Sequence, residues 1–164
     1  MKKGTVHGSR GRVSRRKGST TEDSSRGLGI AVEAEIRVRY GDTDKMGVGY
    51  YGRYLEWFEV GRTEFFRRLG LTYAELERRS FFLPVVEVYC KYRTSVRYDD
   101  LLRIRTSVLE VGKASITFEY EIVRDGDTVL IATGHTVHGC VDECGKLVRL
   151  PEEVKTALAS LSGS

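Results

Sequence analysis

Outside its N-terminal tail, the chain gathers its chemically useful side chains most densely in Tyr40-Gly41-Asp42-Thr43-Asp44-Lys45-Met46-Gly47-Val48-Gly49-Tyr50-Tyr51. As a calcium loop starting at Asp42, this run would place Met46 at the fifth position and Arg53 at the twelfth, where oxygen ligands are required. Gly47, Gly49 and Gly52 spell G-x-G-x-x-G, but a dinucleotide fingerprint needs a strand running into its first glycine and a βαβ unit around it. The pattern supplies neither. A third reading uses a helix that starts around Tyr50 to Gly52. Its first N–H groups lack intrahelical acceptors and favour negative charge, so they can polarise a carbonyl as an oxyanion hole. A carboxylate in the preceding loop, Asp42 or Asp44, can then attack that carbonyl or activate water, and the glycines let a substrate come close. The competing role for both aspartates is to cap turns and the helix start.

Other chemistry is poorly supplied. His135 and His138 lie three apart on one predicted strand and therefore on opposite faces, so they form no local metal pair, and His7 sits in the tail. His138 shares a face with Thr136 and Cys140 and reads as a packed histidine. Cys90, Cys140 and Cys144 are odd in number and match no C-x-x-C spacing, which reads as reduced thiols rather than a disulfide scaffold or a zinc module. Glu56 and Glu59 are alternative carboxylates on the helix, with Arg62 placed to pair with Glu59.

The elements that must position this cluster follow from periodicity. Val32, Ala34, Ile36, Val38 and Tyr40 alternate with charged residues as a half-buried strand. After the turn-rich Gly41 to Gly49, the large residues Tyr51, Tyr54, Leu55, Phe58, Phe65 and Leu69 recur at helical spacing, and Gly70 suits the position just past the helix end. Thr72 and Glu75 form a T-x-x-E capping box for a second, short helix. A period of two returns in Val86 to Tyr92, in Leu102 and Ile104, and in Ile116 to Ile122. Asp125-Gly126-Asp127 turns into a last strand from about Val129 to Val141, and Pro151 opens a terminal helix. Four consecutive strands without intervening helices exclude a parallel doubly wound sheet. The expectation is an α+β domain, a five-stranded antiparallel sheet wrapped on one main helix.

The run R-Y-G-D-T-D-K-M-G-V-G-Y-Y-G-R-Y-L-E-W-F-E-V-G-R-T-E-F-F, Arg39 to Phe66, resembles the signature of the 4-hydroxybenzoyl-CoA thioesterase family of hotdog-fold acyl-CoA hydrolases. The similarity extends to about Pro151. The resemblance implies a hotdog fold and hydrolysis of an acyl- or aryl-CoA thioester to free acid and CoA. It implies Asp44 as the catalytic carboxylate, nucleophile or general base, and the backbone N–H of Tyr51 as the group that binds the thioester oxygen. Members carry either His or Tyr at the position of Tyr51. It further implies Tyr40 as an aromatic near the catalytic loop and Gly49 in the substrate-binding loop, with no metal or redox cofactor. CoA phosphates need cations, and Lys91, Arg93 and Arg97 gather at a strand end, with Arg93 the chosen candidate. Two other activities fit the same fold, a non-catalytic acyl-thioester-binding scaffold and a hydroxyacyl-thioester dehydratase; the latter pairs His with a carboxylate, and the helix region has no His.

The global numbers bound the setting. With 164 residues, one core is expected. The net charge of +4 hides an asymmetry: residues 1–29 hold eight cations against two carboxylates, +6, and the remainder is −2. That segment is expected to be a disordered basic tail ahead of a domain spanning 30–164, so the charge does not indicate specific nucleic-acid binding. No membrane span or apolar secretory core occurs, and a cytoplasmic setting is expected. The apolar alternation of Ile116 to Ile122 and its neighbours predicts edge pairing between copies, a homodimer or homotetramer whose groove is shared between subunits.

Overall fold

The computed structural model describes residues 31–161; the basic segment 1–29 and its expected disorder lie outside them. Five strands are present: β1 (Val32–Arg37), β2 (Val85–Tyr92), β3 (Leu101–Val111), β4 (Ser115–Arg124) and β5 (Leu130–Gly139). The helices are α1 (Arg53–Arg68), α2 (Tyr73–Arg78) and α3 (Glu152–Leu161). The strands form one antiparallel sheet in the order β1-β3-β4-β5-β2, with α1 packed across β1, β3 and β4. This is the expected α+β architecture. Among the described residues no helix is long and apolar enough to cross a membrane.

The sheet buries one face against α1, as its alternating residues require. Leu102 and Ile104 of β3, Ile116, Phe118, Tyr120 and Ile122 of β4, and Ile131 of β5 are fully buried beneath Trp57, Phe58, Phe65 and Phe66 of the helix. Phe58 stacks on Tyr120 with ring centroids 4.3 Å apart. The helix lies close because Gly61 carries no side chain: a Cβ there would fall 2.3 Å from the Thr106 hydroxyl and 2.7 Å from Ile104.

The end of α1 follows the sequence. Gly70 takes φ +74°, its N–H donates to the Arg67 carbonyl at 3.0 Å, and the Leu71 N–H donates to the Phe66 carbonyl at 3.0 Å, the paired bonds of a Schellman stop. The Thr72–Glu75 capping box opens α2, with both reciprocal bonds formed. Three expectations need correction. β1 ends at Arg37, and Tyr40 leaves the sheet in a single 3-10 turn because the Asp42 carboxylate captures the Arg39 N–H at 2.8 Å. α1 starts at Arg53 rather than within 50–52, since the Arg53 N–H bonds the Tyr50 carbonyl at 3.0 Å and closes a turn ahead of the helix.

The third correction concerns the edge. The strand holding Ile116 to Ile122 is β4, paired on both sides, so its apolar face serves the core. The sheet ends instead on β1 and β2. In β2 only Cys90 is half-buried, while Val85, Val86, Val88, Tyr89 and Tyr92 are all exposed.

Candidate active site

The loop from Asp42 to Tyr50 joins β1 to α1 and separates the two aspartates by environment. Asp42 is 2% exposed and fully engaged. One carboxylate oxygen accepts the Arg39 N–H, the other lies 3.1 Å from the Arg39 guanidinium and 3.6 Å from Arg53 Nε. Burial alone would raise its carboxyl, but the bonds and charges of Arg39, with Arg53 beside them, outweigh that and hold it below the usual carboxylate range. Asp42 therefore ties the strand end to the first residue of α1. Its backbone carbonyl also accepts the Tyr50 N–H at 2.8 Å.

Asp44 is half-buried and keeps part of its carboxylate available. Its Oδ1 accepts the Met46 N–H at 2.7 Å and, more weakly, the Val48 N–H at 3.4 Å, while its own N–H donates to the Val48 carbonyl at 2.8 Å. Among the described residues no donor reaches its Oδ2. The turn closes through Gly47, at φ +74°, where a residue with a Cβ would be strained. Both roles weighed for an aspartate here thus occur in one side chain, one oxygen forming the turn and the other left over.

The turn before α1 presents two N–H groups, on Tyr51 and Gly52, that find no acceptor among the described residues. Tyr51, but not Gly52, lines an open groove of about 320 Å³ whose other walls include Asp44, Gly49, Tyr54, Tyr92 and Arg93. The structure therefore brings Asp44, Tyr51, Gly49 and Arg93 to one place. Arg93 is exposed and pairs with no carboxylate among the described residues. Gly49 is a wall of a different kind from the one expected: a Cβ there would meet Val96 Cγ2 at 2.5 Å, so the missing side chain admits the protein's own valine rather than a substrate.

Tyr40 does not join them. It is 80% exposed and meets Tyr98 edge-on, 6.0 Å between centroids, on the outward side of its 3-10 turn. Lys91 and Arg97 do not line the groove either. Glu56 is held by Arg53 at 2.6 Å, and Glu59 lines a separate cavity with Arg62, so neither helix carboxylate faces Asp44. His135 contacts Glu87 at 3.3 Å, and His138 is buried under the helix, in line with its reading as a packed residue.

Tyr92 and Tyr54 are wall residues that sequence reasoning did not single out. The Tyr92 hydroxyl donates to the Tyr51 carbonyl at 3.0 Å, and its ring meets Tyr54 edge-on at 4.8 Å. Burial, and then Cys90 beside it, push the Tyr92 hydroxyl up to about 12, so it remains a donor at neutral pH. The available signal was its place beside Arg93 at the end of an alternating run.

Comparison with known proteins gives a consistent picture. The model of the thioesterase-like superfamily matches residues 38–158. The acyl-CoA thioesterase YbgC of Haemophilus influenzae is 39% identical over 129 residues, covering 77% of this chain and 93% of that protein. A 1,4-dihydroxy-2-naphthoyl-CoA hydrolase of Synechococcus sp. is 28% identical over 117 residues, 68% of this chain and 77% of the relative. The crystal structure of the DHNA-CoA thioesterase from Staphylococcus aureus superposes with a TM-score of 0.77 at 31% identity, covering 80% of this chain and 90% of that one.

Proposed function

The chain belongs to the thioesterase-like superfamily, and from that premise we propose that this thioester hydrolase cleaves an acyl- or aryl-CoA ester to the free acid and CoA, with Asp44 as its catalytic carboxylate. The observation that carries the reading is the convergence, on one groove, of a carboxylate oxygen without a donor, the residue Tyr51 whose N–H has no acceptor, and an unpaired arginine.

The chemistry follows from those parts. The ester carbonyl oxygen, receiving the N–H of Tyr51, gains negative charge as the carbonyl carbon is attacked, and an oriented dipole stabilises that charge more in the transition state than in the ground state. As general base, Asp44 takes a proton from water while the hydroxide adds to the carbon. Collapse breaks the C–S bond, and the proton passes to the departing CoA thiolate. As nucleophile, Asp44 adds directly, expels the thiolate and leaves an anhydride that water hydrolyses. Arg93 supplies charge for a CoA phosphate. The resemblance of Arg39 to Phe66 to the 4-hydroxybenzoyl-CoA thioesterase signature, together with the tyrosines of the groove, supports an aryl acyl group.

The active unit is at least a dimer in this reading. Support comes from β2, a sheet edge that exposes Val85, Val86, Val88, Tyr89 and Tyr92 around its two charges, Glu87 and Lys91. A panel of CoA esters assayed for thiol release with wild type and Asp44→Asn tests the function. Release by wild type that the variant loses is expected; equal release by both would refute the assignment.

A further inference from the structure

A second cavity, of about 550 Å³, opens on the other flank of α1, between that helix, α2 and the segment leading into β2. Glu59, Arg62, Thr63, Tyr73, Glu77 and Leu83 contribute to its walls. Two polar atoms there are buried without any hydrogen-bond partner: Nε of Arg62 and the hydroxyl of Tyr73. The Arg62 side chain is only 13% exposed, yet its one carboxylate contact among the described residues is Glu59, 3.7 Å away and 66% exposed. A buried guanidinium ordinarily has a close anionic partner, because an uncompensated charge out of water is costly.

The Tyr73 and Tyr120 hydroxyls lie against the Arg62 guanidinium, but the neighbouring groups supply no anion. The Tyr120 hydroxyl is taken up by Thr136 at 2.8 Å, Thr136 by His138 Nε2 at 2.8 Å, and His138 Nδ1 donates to the Leu83 carbonyl at 2.9 Å. Burial pushes the Tyr73 hydroxyl up to about 12, so it stays a donor. The Tyr73 hydroxyl is a donor that can also accept from the Arg62 guanidinium beside it, but it is neutral, and Arg62 carries a fixed positive charge. What they lack is an anionic acceptor, and the planar fork of arginine matches a carboxylate.

We propose that this cavity is a carboxylate-binding site in which Arg62 and Tyr73 hold the acid oxygens. Glu59 and Glu77 are exposed at the mouth, where water screens their repulsion. The carboxylate has two sources. It is a free acid, or it is the far end of an acyl group whose thioester lies in the Asp44 groove of a second copy. The second source rests on the thioester reading and on pairing through β2, which runs from the cavity, lined by Pro84, to the groove, lined by Arg93, so an antiparallel pair of β2 edges turns the groove end of one copy toward the cavity end of the other.

The test uses the full chain with Arg62→Gln, Arg62→Lys and Tyr73→Phe. Glutarate and benzoate are titrated by calorimetry, and hydrolysis of glutaryl-CoA is compared with that of pentanoyl-CoA, which lacks the terminal acid. If the acyl end is the ligand, Arg62→Gln lowers kcat/KM for glutaryl-CoA by at least ~10-fold while pentanoyl-CoA changes by less than about 2-fold, and Lys restores part of the difference. If a free acid is the ligand, wild type binds it, Arg62→Gln weakens binding by at least ~10-fold and both esters are cleaved as before. Absence of acid binding to wild type, with both esters affected alike by Arg62→Gln, overturns the site. Should Arg62→Gln fail to fold, Tyr73→Phe, which removes one oxygen, is read by the same criteria. If wild type cleaves neither ester, the acyl-end source is excluded, the panel of CoA esters decides the thioester reading separately, and the titration alone decides the cavity.

Discussion

The hydroxyl of Tyr92, the last residue of β2, donates to the backbone carbonyl of Tyr51 across 3.0 Å, so an edge strand fixes the turn from which α1 begins. Tyr92→Phe removes that bond and keeps the ring against Tyr54. Loss of one neutral hydrogen bond corresponds to roughly a 5-fold effect, and it is expected in kcat, with KM and thermal midpoint nearly unchanged. Steady-state kinetics on one CoA ester measures both constants; a change confined to KM would place Tyr92 in substrate binding instead.

Asp44→Asn keeps size and polarity but removes the charge needed for attack or for proton removal, and kcat should fall at least ~100-fold with the fold intact. Asp42→Asn should behave in the opposite way. It removes the charge of a buried carboxylate that pairs with the exposed Arg39 and the half-buried Arg53, so the thermal midpoint falls, by a few degrees for a loss on the order of 1 kcal/mol. Circular dichroism melts beside the kinetic assay separate the two aspartates.

That division was only half legible in the chain. The spacing D-x-D announced two carboxylates in one loop, but which is clamped depends on Arg39 and Arg53 folding onto Asp42, a contact set by three dimensions. Local signals served better: Gly70 and the Thr72–Glu75 pair marked helix ends because their bonds close within a few residues. Alternation in Ile116 to Ile122 gave a strand correctly, yet said nothing of its neighbours, and an apolar run on a central strand looks the same as one on an edge. The edges are β1 and β2, and the rank of β2 follows from its pairing with β5 alone. Tyr40 continued the alternation of β1, and a side chain two residues further on ended it.

Arg93→Gln should raise KM for a CoA ester several-fold, and by less for the same acyl group on a short thiol without phosphates, while kcat changes little. Increasing salt should reduce the difference between wild type and variant, because an exposed cation acts through a screened field. An equal effect on both thiol carriers would remove Arg93 from phosphate binding.

His138 gives the stability a pH dependence. Burial lowers its pKa from 6.5 to about 4 in the folded protein, so the unfolded chain binds the extra proton first as pH falls. Stability contributed by the neutral ring is complete above about pH 6.5 and is lost progressively down to about pH 4, on the order of 3 kcal/mol in all. Denaturant unfolding between pH 4 and pH 7 should show this slope, and His138→Gln should flatten it. An equal slope in the variant would assign the effect to other groups.

Val88→Lys places a charge in the middle of the exposed β2 edge without touching the Asp44 groove. Light scattering across a dilution series should show wild type as at least a dimer and the variant shifted toward a monomer of about 18.5 kDa, with specific activity falling in parallel. A fully active wild-type monomer would contradict a shared groove.

The clamp on Asp42 also bears on how fast the enzyme can be ready for substrate. Because Arg39 and Arg53 fix both ends of the loop during folding, the backbone around Asp44 has its ordering entropy already removed when an ester arrives. In the role proposed for it, the Asp44 carboxylate is then preorganised, and little reorganisation separates encounter from attack. Releasing either arginine would leave the chemistry of Asp44 unchanged yet scatter its orientation, so the cost would surface as a broadened ensemble of unproductive encounters rather than as a weaker base.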